Sequence, residues 1–97
     1  MSPTYKASYT GLLKVFLDHY GGGSWAGRLA IPAMIAGGPA HGYAADVHLR
    51  PLLEELGAVC PASFSITEGE LPQLGSVVDS WTARVGPSLV GWLASPA

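Results

Sequence analysis

Charge is scarce in this sequence. Asp, Glu, Lys and Arg make up 12% of its 97 residues, about half the share usual for soluble domains. So few charges leave little to coat a free surface, and part of that surface is expected to be buried against something else. The basic residues Lys6, Lys14, Arg28, Arg50 and Arg84 are scattered and the net charge is -2, which excludes a basic stripe for nucleic acid. Cysteine is scarcer still. Cys60 stands alone, so no disulfide framework is available within one chain, as expected in a reducing cytoplasm. Three histidines and one cysteine share no metal-ligand spacing, so no zinc site is expected. No apolar run approaches the ~18 residues of a membrane span. The first residues lack a charged segment ahead of an apolar core, so no signal peptide is expected. Ser8 and Ser24 lie in no Gly-x-Ser-x-Gly turn, which removes the usual setting for a serine nucleophile.

What is present is apolar and rich in turns. Hydrophobic residues make up 48%, with Gly 13 and Pro 8, as in one small globular domain. Leu12, Leu13, Phe16, Leu17 and Tyr20 recur at helical spacing and predict a helix over 9–20. Ser8 or Thr10 caps its start, and Gly21-Gly22-Gly23 ends it. Residues 29–36 are apolar on both parities and predict a buried strand of a parallel sheet covered on both faces. Pro32 has no N–H for the ladder and argues for a partial edge.

A second helix is predicted over 44–56, with Leu49, Leu52, Leu53 and Leu56 inward, Glu54 and Glu55 outward, and Gly57 as the stop. Pro51 bends it or marks a late start. A short strand follows at 62–66, then a polar loop at 67–72. A helix over 73–85 carries Leu74, Val77, Val78, Trp81 and Val85. Pro87 breaks it, and Leu89, Val90 and Leu93 form a further short helix. This alternation predicts a parallel α/β sheet with crossover helices. Only two strands are visible, so the strand at 29–36 is expected to have an open edge, as in half of a doubly wound domain. Two loops, 2–11 and 37–41, lie where extended chain meets helix, the usual ligand position in such sheets.

Three stretches carry a family likeness. They are Ser2-Pro3-Thr4-Tyr5-Lys6-Ala7-Ser8-Tyr9-Thr10-Gly11-Leu12-Leu13-Lys14, then Ala36-Gly37-Gly38-Pro39-Ala40-His41, and then Asp46 with Leu49-Arg50-Pro51-Leu52-Leu53 and Leu56-Gly57-Ala58. From residue 2 to about 93 the chain resembles the C-terminal half of the flavodoxin-like NAD(P)H-dependent FMN reductases. The likeness is strongest to those that supply reduced flavin to partner monooxygenases. It implies an α/β fold: the C-terminal half of a flavodoxin-like doubly wound parallel sheet, three-layered α/β/α. The N-terminal half and its Ser-rich phosphate loop are expected to be absent, so that 1–97 is one partial domain.

The resemblance further implies that Pro3, Thr4, Tyr5, Lys6, Gly37 and Gly38 touch FMN, with His41 against flavin or nicotinamide. Hydride passes from NAD(P)H to FMN, and the protein supplies position and electrostatics without a catalytic acid or base. A cytoplasmic homo-oligomer, dimer or tetramer, is implied, associating through the first two helices, with a flavin-dependent monooxygenase as a further partner. The alternative is a truncated, non-catalytic fragment that keeps only a self-association surface. On the residues alone, Tyr5 is a packing residue. Lys6 is solvated, or meets a phosphate or the flavin carbonyl edge. The Gly pair is a strand-to-helix turn, His41 caps the following helix, His19 and His48 are surface positions, and Cys60 is a small apolar residue beside a strand.

Overall fold

A computed structural model describes residues 1–94. Three parallel strands, β1 (Ser2–Pro3), β2 (Ala33–Ala36) and β3 (Phe64–Thr67), lie in the order β1-β2-β3. Ser2 pairs with Met34 and Pro3 with Ile35, while Ala33 to Ala36 run in register with Phe64 to Thr67. Leu29 and Val59 add an isolated parallel bridge upstream. The strand expected to have an open edge is therefore the central one. Two residues are too few to show a periodicity, so β1 left no pattern to read. Pro32 marks no edge either. It is buried just ahead of β2, and its carbonyl accepts the Phe64 N–H at 2.9 Å, a contact that needs no donor from proline.

Helix α1 (Gly11–Leu17) is shorter than the apolar spacing predicts. Thr10 caps it, its hydroxyl accepting the Leu13 N–H at 3.1 Å. The chain turns off at Asp18 to Tyr20, ahead of the three glycines. Helix α2 (Arg50–Glu55) continues a π-turn over Ala45–Leu49. Pro51 accounts for the wide turn. It has no N–H to give, and the preceding Arg50 N–H reaches back to the Ala45 carbonyl, one residue further than in an α-helix. Leu49, Leu53 and Leu56 are buried with Met34 and Leu17 between these helices and the sheet. Gly57 ends the segment with φ +100, where a Cβ would lie 2.9 Å from the Ala26 nitrogen.

The opposite face carries α3 (Leu74–Ala94), a single helix of 21 residues. The break expected at Pro87 does not occur. The bond proline removes is that of the Ala83 carbonyl one turn back, and Ala83 is exposed, so that carbonyl is open to solvent and not buried without a partner. Trp81 anchors the helix. Its ring stands edge-on to Phe64 with centroids 5.7 Å apart, and its Nε1 donates to the Ser63 carbonyl at 2.7 Å. Coverage on this side is incomplete. Met34 and Ala36 of β2 are buried, whereas Ala33 and Ile35 are half-buried, so the strand is not sealed on both faces as its composition predicts. An apolar groove of about 490 Å³ remains, floored by Ala33, Ile35 and Ile66 and walled by Val78 and Trp81. Among the described residues no helix is long and apolar enough to cross a membrane.

Arg50 braces α2 to the start of β3. Its Nη2 lies 2.7 Å from Asp46 Oδ1, its Nε donates to the same oxygen at 3.2 Å, and its Nη1 donates to the Cys60 carbonyl. The hydrogen bond from Arg50 holds the Asp46 carboxyl below its usual range. A depressed carboxyl stabilises the fold above its unfolded pKa of about 3.9, and that contribution fades as pH falls through the lower folded value. Asp46→Asn is therefore expected to flatten the acid limb of the stability–pH curve below about pH 4 by less than about 1 kcal/mol, the pair being solvent-exposed. Gly57→Ala is expected to cost about 2 kcal/mol or more in urea denaturation, from strained backbone and a close contact together.

Candidate functional site

Parallel strands send their following loops out at one edge of the sheet. The loops after β1, β2 and β3 therefore share the C-terminal edge, where open α/β sheets hold ligands. β1 and β2 end side by side, with Pro3 opposite Ile35, so Thr4–Tyr9 and Gly37–Tyr43 leave the sheet as neighbours.

The first loop is held by its own backbone. Tyr5 N–H donates to the Ser8 carbonyl at 2.9 Å and Ser8 N–H returns to the Tyr5 carbonyl at 3.1 Å. The two residues between them, Lys6 and Ala7, take φ values of 50° and 66°. This is a tight turn of the type that favours Asn and Gly, built here from two residues with side chains. Tyr5 is 65% exposed at its corner. Lys6 is exposed and Pro3 points to the open face of the sheet. Thr4 is half-buried, and its Oγ1 is buried without a hydrogen-bond partner.

The second loop opens with Gly37 and Gly38. Neither lies in the left-handed region: Gly38 is extended, with φ -157 and ψ 173. A Cβ on either would meet nothing within 4 Å. Neither backbone angle nor neighbouring chain calls for glycine at these two positions. Pro39–His41 form a single 3₁₀ turn. His41 is exposed and caps nothing. Helix entry at Ala44 shows no side-chain cap, and the His41 ring instead stands edge-on to Tyr43 at 6.3 Å.

The third loop was expected to be an irregular polar stretch. It is a 3₁₀ helix over Glu68–Gln73, entered through Thr67. Glu70 Oε1 accepts both the Thr67 N–H at 3.1 Å and the Thr67 hydroxyl at 3.0 Å. The Thr-x-x-Glu spacing is the sequence signal for this entry. Between the second and third loops lies a cavity of about 180 Å³, lined by Ala36, His41, Thr67 and Glu70. Among the described residues no cluster of His, Cys, Asp and Glu is placed to hold a metal ion.

Residues 1–70, which contain the first two loops and the start of the third, match the family described as NADPH-dependent FMN reductase. The chain belongs to that family. Two curated members are similar to it, the FMN reductases (NADPH) of Escherichia coli strain K12 and Pseudomonas putida strain KT2440, each 39% identical over 57 residues. These residues are 59% of this chain and 30% and 29% of the two relatives. A solved structure, the apo form of an NADH:FMN oxidoreductase, is 36% identical with a TM-score of 0.64. That match takes in 86% of this chain and 50% of the other. This family member thus spans about three tenths of the length of the curated relatives it matches and half of the solved one.

The turn at Lys6 and Ala7 yields a stability prediction. An alanine in the left-handed region costs about 1 kcal/mol or more, and glycine relieves that at a smaller entropic cost. Ala7→Gly is expected to raise stability by about 0.5 kcal/mol, read as a higher urea midpoint at unchanged slope.

Proposed function

We propose that this chain provides the ring-facing part of the FMN site in an NADPH-dependent FMN reductase. One observation carries the reading. The loop after β1 and the double-glycine loop after β2 are adjacent at the C-terminal edge of a parallel sheet, and both lie inside the family match. The residues fit a flat, polar cofactor. Gly37 and Gly38 leave a surface free of side chains that a Cβ would begin to fill, which suits close backbone approach to a ring system. Thr4 brings a hydroxyl without a protein partner to the base of the first loop.

On this reading Tyr5 packs against the ring, Pro3 and Thr4 line the strand end, and Lys6 faces the flavin carbonyl edge or its phosphate. His41 borders the nicotinamide side. When bound, FMN supplies a hydride acceptor for the nicotinamide of NAD(P)H. The chain's own part is to hold, orient and shield. No described side chain in these loops is needed as an acid or base.

Self-association goes with the reading. Leu12, Val15 and Phe16 of α1 are 81%, 62% and 54% exposed, and Tyr43 and Val47 at the entry to α2 are exposed as well. An apolar stripe of this kind on helices with few charges suits an isologous dimer contact. A cytoplasmic setting and a flavin-dependent monooxygenase as the taker of reduced flavin complete the proposal. A second reading draws on the short span against the relatives. In it the chain keeps this association surface and turns nothing over by itself.

Titration with FMN, followed by quenching of flavin fluorescence, separates the two when run beside an NADPH oxidation assay. Saturable quenching with turnover supports the reductase. No quenching at any concentration supports the second reading. Gly37→Ala is expected to leave urea stability within about 0.5 kcal/mol while weakening FMN binding by about tenfold or more, since a methyl group occupies space reserved for the ring.

A further inference from the structure

Ser2 is the one buried polar residue of the described core, 1% exposed. Its hydroxyl has two partners. It donates to the Pro3 carbonyl at 2.8 Å and accepts the Thr10 N–H at 3.1 Å. The second contact joins residues eight apart in sequence and closes the loop between them.

The local chemistry explains why the contact exists. Thr10 is the N-cap of α1, and its side chain already satisfies the Leu13 N–H. In a capping box the backbone N–H of the N-cap is taken by a Glu or Gln three residues on. Leu13 stands there and cannot accept. Ser2 meets the need from the neighbouring strand, because its side chain shares the Met34 face of the sheet on which α1 packs. One hydroxyl thus ties β1, ahead of the loop, to the cap residue of α1 after it. Inside that tie lie the Tyr5–Ser8 backbone pair and the two left-handed residues. Such a turn holds its shape only when its surroundings over-determine it.

We propose that Ser2 is a positioning residue for flavin binding: its hydroxyl clasps the Thr4–Tyr9 loop shut and so pre-forms the surface that Tyr5 and Thr4 offer to the cofactor. This rests on the FMN reading of the loop. Ser2 touches no flavin. It acts by raising the fraction of molecules whose loop is ready, and apparent affinity scales with that fraction.

The test compares the unaltered full chain with Ser2→Ala and Ser2→Thr by amide hydrogen exchange and FMN titration. In the unaltered chain the Thr10 amide is expected to be protected. In Ser2→Ala, exchange at Thr10 and across residues 4–9 rises, FMN affinity falls about three- to tenfold, the shift one net hydrogen bond supplies, and α2 and α3 exchange as before. Ser2→Thr, which keeps the hydroxyl, restores both readouts. An unprotected Thr10 amide in the unaltered chain overturns the clasp without any variant, which decides the matter even if Ser2→Ala does not fold. Raised loop exchange with unchanged FMN affinity overturns the positioning role. Absence of FMN binding in the unaltered chain, with the clasp intact by exchange, sinks the flavin reading of the loop and with it the positioning role, but leaves the clasp standing.

Discussion

Parallel pairing of β1 with β2 is the constraint on which the rest of the site depends. It consists of two residue pairs, Ser2 with Met34 and Pro3 with Ile35. Those two pairs fix where the first loop leaves the sheet, which face Ser2 looks toward, and how close Thr4 comes to the double-glycine loop. A slip of one residue would turn Ser2 to the open face and carry its hydroxyl away from α1. The short strand is held less by its own ladder than by what it is attached to. The Ser2 hydroxyl reaches across to the helix cap, and α1 in turn sits in the core through Leu17.

Much of this architecture could be read from the residues. The leucine spacing at 49, 52, 53 and 56 identified the buried side of α2, and Thr10 was among the caps expected for α1. The two expected strands alternate with helices in the expected order, and the parallel sheet follows from that alternation, with β1 added as a third strand. Failures occurred where a local rule met a tertiary circumstance. Proline at 87 would break the helix if the carbonyl it orphans were buried, and here Ala83 is exposed to solvent. Proline at 32 excludes a ladder position only if its nitrogen is needed. β1 carries no sequence signal, because a two-residue strand has no alternation.

The candidate site was legible in a different way. The positions of Pro3 to Lys6 and of Gly37 and Gly38 came from a string resemblance, and nothing in periodicity would have selected them. Their geometry adds physical content that a string cannot hold. The glycines are not there for a left-handed backbone angle, and Lys6 and Ala7 take such angles without being glycine. The Thr-x-x-Glu spacing at Thr67 is a signal for that entry, although the segment around it is polar and short. Ser2 could not have been found from sequence, since its partner lies across a strand-to-helix gap that only the fold closes.

The register of the sheet also bears on how the molecule comes together. Ser2 meets Met34 and Ala33 meets Phe64, so each pairing closes a span of similar length and incurs a similar loop entropy. The return is unequal, because β2–β3 gains four residue pairs and β1–β2 only two. More residue pairs for a similar closure favour β2–β3 as the first pairing, with β1 expected to dock after it. The two-pair contact of β1 makes the first loop the part of this sheet edge expected to open first in the native state.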